Sequence, residues 1–335
     1  MLIGSKFGEE RIITKKGEYK MNNLMEVVQP IIYRPDEFRE KELQYPRLIR
    51  DIYFEGERRF AQWQKTESGE PEEFRYLTGQ LMDFDLSNGV PFTTLRDLKG
   101  AVESAINELR AFLGGAVTIE EYESYGANPN WWKASLTAEK CAVFGLKEGE
   151  FGKGGYGSAL TQRIKNGKVF NQVKVLLQQM KDFPNATTHL LVTWYPEYDL
   201  GTKEEPREVA TAPCHGTTVY FDINMETGTL AVIHVQRAAD GPVGLVFNIL
   251  QYIVLGMMIA HLLGLTFTRY KHFILNAHIY GVQFEAVKKI LERAPRVPPV
   301  LILKRRVTDI SDFRANDFEL QKYNPWPALF IKTPF

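Results

Sequence analysis

Apolar positions along this chain follow two periods, and each period marks an element. Over residues 36–66 they fall at Phe38, Leu43, Leu48, Ile49, Ile52 and Phe60, the spacing of one or two amphipathic helices. Residues 76–86 read as a strand and stop at the turn signal Ser87-Asn88-Gly89. Val102, Ala105, Ile106, Leu109 and Phe112 restore helical spacing over 98–113. Gly114-Gly115 then supplies the stop, because glycine accepts the left-handed backbone that closes a helix. A second helix is predicted over 159–180, ending before Pro184, and a buried strand over 189–195. Runs at 217–223 and 230–235 flank Asn224-Met225-Glu226-Thr227-Gly228, a hairpin signal. A long apolar run at 243–267 precedes a strand at 272–275, a helix at 282–293 and a strand at 300–303. Residues 1–30 carry no clear pattern, and 126–157 are irregular and glycine-rich. Strands and helices mix without strict alternation, so an α+β fold is expected.

The run at 243–267 is long enough to cross a bilayer. It also holds Asn248, Gln251 and His261, and polar groups are costly in lipid. A helix apolar on all sides is equally the central helix of a soluble core. We therefore expect a buried helix and no membrane.

Composition narrows the class. Lys plus Arg equal Asp plus Glu at 41 each, so no net field points to a nucleic acid polymer. Two cysteines in 335 residues do not make a disulfide framework. The amino terminus, with Lys15 and Lys16, lacks the apolar core of a signal peptide, which leaves a cytoplasmic protein as the expectation.

Cys214 lies in Ala212-Pro213-Cys214-His215, directly before a strand. A lone cysteine is more often an inert core residue. Arg237, one hairpin away in Gln236-Arg237-Ala238-Ala239-Asp240, alters that weighting, because a guanidinium beside a thiol favours the thiolate. Asn248 offers a donor and an acceptor on one amide. His278 and Tyr280 share a face if their segment is extended.

Taken in order, these segments resemble the thymidylate synthase superfamily. The resemblance runs through Pro213-Cys214-His215, Gln236-Arg237, Asp240, Gly244-Leu245, Phe247-Asn248 and Asn276-Ala277-His278-Ile279-Tyr280. It continues through Asp317-Phe318-Glu319-Leu320 and Tyr323-Asn324-Pro325-Trp326-Pro327, and upstream through Asn88 to Thr94, Asn107-Glu108-Leu109 and Gly155-Tyr156-Gly157. It implies a single large domain over 71–335 with a mixed, twisted sheet and a long buried central helix, after an extension over 1–70. The implied activity is transfer of a one-carbon unit from 5,10-methylenetetrahydrofolate to carbon 5 of a pyrimidine nucleotide. Cys214 would add to carbon 6 of the ring, Arg237 would activate it, Glu108 would manage protons, and Tyr156 would help remove the carbon 5 proton. Gln236, Arg237, Asn248, His278 and Tyr280 would bind the nucleotide, with Asn248 favouring uracil. Asp240, Gly244, Phe247, Trp131 and Trp132 would hold the folate, Asp240 also serving catalysis. The family implies a homodimer and no metal.

Three departures stand out. Thr187 and Thr188 occupy the place of an arginine pair that grips the phosphate across subunits, and Ala238 replaces a serine. Threonine does not replace a guanidinium's charge or its bidentate hydrogen bonds. Arg75, Lys203 and Arg207 are the candidate substitutes. The register of Trp131-Trp132 is also altered, and an indole beside the transferred carbon is what favours reduction over attack by water. These differences favour a hydroxymethyl product, with methylation of dUMP to dTMP as the alternative. A non-catalytic nucleotide-binding homologue is the reading from another class.

Overall fold

The computed structural model describes residues 29–334. Most of the unpatterned segment 1–30 therefore lies outside the described residues.

The core is a mixed sheet in the spatial order Glu57–Lys65, Pro71–Asp85, Thr266–Tyr280, Thr229–Gln236, Thr218–Asn224 and Leu190–Leu191, with the short strand Ala239–Asp240 also paired to Thr266–Tyr280. Most neighbours are antiparallel, but Thr229–Gln236 runs parallel to Thr266–Tyr280. A parallel pair needs a crossover, and the helix Gly244–Leu263 supplies it.

That helix spans 20 residues, long and apolar enough by itself to cross a membrane, yet 83% of its apolar stretch is buried inside the domain. It packs so closely on the sheet that a Cβ at Gly256 would lie 2.4 Å from the Phe267 ring. The apolar run is thus the central core helix, and Gly264 closes it at φ 66°. The helix-facing side of the sheet carries Met82, Phe84, Phe221, Val232, His234, Tyr270 and His272, all buried. The other side carries Leu81, Tyr220, Ile233, Val235, Phe273 and Leu275, which are partly or largely exposed.

Several expectations change. Only Gln44–Glu55 is a substantial helix within 36–66; Glu57–Lys65 is an edge strand. Phe60 fitted the helical spacing but stands 60% exposed on that strand, under the Arg58 guanidinium. The boundary expected at residue 70 falls in the turn joining this strand to Pro71–Asp85. The helix expected over 159–180 is two helices, Tyr156–Thr161 and Gln172–Asp182. Between them Asn166-Gly167 adopts φ 53° and 72° and turns a small hairpin, the backbone that an Asn-Gly pair favours. Only Leu190–Leu191 of the run 189–195 joins the sheet. The strand expected at 272–275 extends over Thr266–Tyr280, and the helix at 282–293 is trimmed to Phe284–Leu291.

Candidate active site

Helix Val102–Gly114 projects Ala105, Glu108 and Phe112 from one stripe into the core. Phe112 stacks on Tyr156 at 4.4 Å between ring centroids, and Tyr156 stacks on His215 at 4.5 Å. This aromatic column fixes the Tyr156 hydroxyl beneath the segment Cys214-His215. The hydroxyl oxygen accepts the backbone N–H groups of Cys214 at 2.8 Å and His215 at 3.2 Å. With both lone pairs so engaged, its proton is directed to the Cys214 sulfur 3.4 Å away.

Cys214 is partly buried and unpaired. Burial pushes its thiol up; the Tyr156 hydrogen bond and the Arg237 charge pull it down without overcoming burial. The Arg237 charge thus acts on the thiol in the expected direction. Arg237 also holds the loop: its Nε donates to the Pro213 carbonyl and an Nη to the Ala212 carbonyl, both at 3.1 Å, and it lies over the Trp194 ring.

Glu108 is buried and fully hydrogen-bonded. One oxygen accepts from Trp132 Nε1 at 2.6 Å and from the Tyr122 hydroxyl at 2.8 Å; the other accepts from Gln251 Nε2 at 2.6 Å. Burial still raises its carboxyl above the usual range, against those three donors. A carboxyl shifted in that direction keeps its proton to higher pH than an ordinary carboxyl, which suits it to proton transfer.

Asn248, buried on the central helix, accepts from Gln236 Nε2 at 2.9 Å and donates to Gln251 at 3.2 Å. Both contacts leave its amide one further lone pair and one further N–H. His278 and Tyr280 do lie side by side, with ring centroids 4.9 Å apart. Asp240 pairs with His278 in the sheet register. Its carboxylate accepts from Gln283 Nε2 at 2.8 Å and from the Val243 N–H at 3.2 Å, while burial pushes it up to about 6. Gly244 opens the central helix just beyond, and Phe247 packs against Trp131 at 5.2 Å. Trp132 sits apart from that pair, beside Glu108 and Tyr156.

The phosphate candidates separate clearly. Thr187 and Thr188 are exposed, and Thr188 accepts a hydrogen bond from Gln179. Arg75 is committed elsewhere, donating to the Tyr53 carbonyl and lying over the Tyr53 and Phe284 rings. Lys203 is exposed. Arg207 clamps the carbonyls of Val209 and Ala210 at 3.1 and 3.0 Å. Arg163, which nothing in the sequence singled out, lies over the Tyr195 ring with Nε and one Nη buried and unpartnered. Burial pushes the Asp199 carboxyl up to about 6, against the Tyr195 N–H and the charges of Arg163, Arg237 and Arg207. Gln251 was also missed as a site residue, although it falls one helical turn after Asn248. Among the described residues no cluster of His, Cys, Asp or Glu is arranged to hold a metal.

A family model described as thymidylate synthase matches residues 43–334. The fold is similar to thermostable thymidylate synthase A from Bacillus subtilis, with a TM-score of 0.73 and 27% identity, covering 87% of this chain and 98% of that one. With its family model matched over residues 43–334 and its fold shared, the chain belongs to the thymidylate synthase family, transferases that deliver a one-carbon unit to a pyrimidine nucleotide.

Proposed function

We propose that this protein methylates carbon 5 of a uracil nucleotide, using 5,10-methylenetetrahydrofolate and a covalent Cys214 adduct at carbon 6. The observation that carries the choice of product is the Trp132 indole, hydrogen-bonded to Glu108 at 2.6 Å and 6.2 Å from the Tyr156 ring centroid. The divergent tryptophan segment favoured a hydroxymethyl product on sequence alone. An indole beside the reacting centre excludes water and supports reduction instead.

The sulfur electron pair of Cys214 forms the bond to carbon 6, and the ring's carbon 5–carbon 6 π pair moves toward oxygen 4. Glu108 donates a proton on that side as negative charge develops. Carbon 5 then bonds the transferred carbon and loses its proton to water, while that carbon's bonds to the folate nitrogens break and leave their electron pairs on the folate; the Tyr156 hydroxyl, with both lone pairs engaged, serves as donor to the sulfur. The sulfur–carbon 6 bond breaks last and returns the pair to Cys214. The folate supplies the methylene and, for a methyl product, the hydride.

The residues present fit that cosubstrate. Asp240 offers a carboxylate oriented by Gln283 and Val243, and Trp131 with Phe247 forms an apolar wall beyond it. The guanidinium charges of Arg163, Arg207 and Arg237, which all reach the Asp199 carboxyl, support a phosphate on the substrate. The apolar open face of the sheet, with Leu81, Tyr220, Ile233, Val235, Phe273 and Leu275, supports a homodimer. Free Cys141 and Cys214 support a reducing, cytoplasmic setting.

The test is product analysis with 2′-deoxyuridine 5′-monophosphate and methylenetetrahydrofolate. A methyl product with release of one dihydrofolate per turnover is expected. A hydroxymethyl product with tetrahydrofolate release overturns the choice of product, and no product with any pyrimidine nucleotide favours a non-catalytic homologue.

A further inference from the structure

A line of buried side chains joins Gly216, two residues beyond Cys214, to Glu108. The Gly216 N–H can only donate, so His234 Nε2 accepts it at 2.8 Å. The His234 proton therefore sits on Nδ1, facing the Tyr270 hydroxyl at 2.9 Å. Tyr270 donates onward to His272 Nδ1 at 3.3 Å, and His272 Nε2–H donates to Gln236 Oε1 at 2.8 Å. Gln236 Nε2 donates to Asn248 Oδ1 and to the Ala238 carbonyl, each at 2.9 Å. Asn248 Nδ2 donates to Gln251 Oε1 at 3.2 Å. Gln251 Nε2 donates to Glu108 at 2.6 Å and to the Ala105 carbonyl at 3.1 Å.

Three backbone groups with fixed roles, the Gly216 N–H and the carbonyls of Ala238 and Ala105, agree on one direction for the whole line. The sheet register makes this possible: His234 and His272 are cross-strand partners, and Tyr270 shares their helix-facing side. Burial keeps both imidazoles neutral, His272 being held down to about 3, so each has one donor and one acceptor.

Uracil presents a donor at nitrogen 3 and an acceptor at oxygen 4; cytosine presents the reverse order. A ring held at carbon 6 by Cys214 meets cytosine's order only if the Asn248 amide turns over. Turning it would set Nδ2 against Gln236 Nε2 and Oδ1 against Gln251 Oε1. Gln236 cannot turn to follow, because His272 and Ala238 hold its two ends.

We propose that His234, Tyr270 and His272 are positioning residues that lock the amides of Gln236 and Asn248 in the single orientation that reads uracil. The proposal rests on the reading of Asn248 as the group that meets the base. Without the His272 donor, Gln236 Oε1 is left bare in the core and the lock loosens.

The test uses Tyr270→Phe, which keeps the shape and removes the hydroxyl, with His272→Phe as a second variant. Calorimetry measures binding of 2′-deoxyuridine and 2′-deoxycytidine 5′-monophosphates, and ring-nitrogen NMR assigns the histidine tautomers in the unliganded protein. The wild type is expected to hold the proton on Nδ1 of His234 and Nε2 of His272, and to prefer the uracil nucleotide. In the variants that preference is expected to shrink about tenfold, the weight of one buried hydrogen bond. A merely structural role would weaken both nucleotides together and leave their ratio unchanged. An unchanged ratio in both folded variants, or the opposite tautomers, overturns the relay while the nucleotide reading stands. Binding of neither nucleotide by the wild type, with the tautomers as stated, overturns the reading of Asn248 as base contact and the proposal with it.

Discussion

Cys214→Ser is expected to lower turnover at least about 10⁴-fold while leaving the fold intact. The hydroxyl of serine is a far weaker nucleophile than a thiolate, and nothing at this site is arranged to deprotonate it. Tyr156 turns both lone pairs to the Cys214 and His215 N–H groups, so it is a donor to position 214 and not a base for it. The serine keeps that hydrogen bond, and Cys214 is only partly buried, so the cost in stability is about 1 kcal/mol or less. Steady-state kinetics beside a thermal melt check both halves. Full activity in a folded Cys214→Ser protein would remove the nucleophile from the mechanism; Cys141, buried under Glu150 and raised by burial, offers no substitute.

Glu108→Gln carries the second large effect, a loss of about 10²–10³-fold in kcat with a smaller change in KM. The amide still accepts from Tyr122 and Trp132 but cannot transfer a proton. It also sets a second N–H donor group against Gln251 Nε2, now 2.6 Å from a carboxylate oxygen. Because burial raises the Glu108 carboxyl, the protonated form persists above the ordinary carboxylate range. If that form is the donor, wild-type kcat falls as pH rises through the raised value, and this limb is absent in Glu108→Gln. A variant with wild-type kcat, or with the limb retained, would assign the proton step to another group.

Much of the scaffold could be read before any coordinates. Turn chemistry and capping are local, so the hairpin around residues 224–228 and the stop at Gly114-Gly115 were evident. The apolar run at 243–267 could be identified as a core helix from its polar interruptions; two of them, Asn248 and Gln251, are hydrogen-bonded to each other beside Glu108, while His261 packs on Phe313. The Asn166-Gly167 turn was just as local but was outweighed by the helical spacing around it. Strand Glu57–Lys65 was lost for a different reason: an exposed edge strand need not alternate, because neither face must be buried.

In the candidate site, the residues that contiguous motifs pointed to lie close together, while those assembled by packing gave no signal along the chain. Cys214, Glu108, Tyr156 and Asn248 stand in recognisable segments. Arg163 reaches the guanidinium cluster only because a short hairpin brings it over Tyr195. His234, Tyr270 and His272 sit at ordinary strand positions, and their connection exists only in the register between two parallel strands. No spacing along one strand encodes such a pairing.

The most direct measurement is intact-protein mass spectrometry after mixing the enzyme with methylenetetrahydrofolate and 5-fluoro-2′-deoxyuridine 5′-monophosphate. Fluorine at carbon 5 cannot leave as a proton, so an adduct formed by thiolate addition at carbon 6 has no route to product and accumulates. A mass increase equal to nucleotide plus folate, mapped by peptide sequencing to Cys214 and absent in Cys214→Ser, is expected. No covalent adduct, or one mapped to Cys141, would contradict the assignment of Cys214 as the nucleophile.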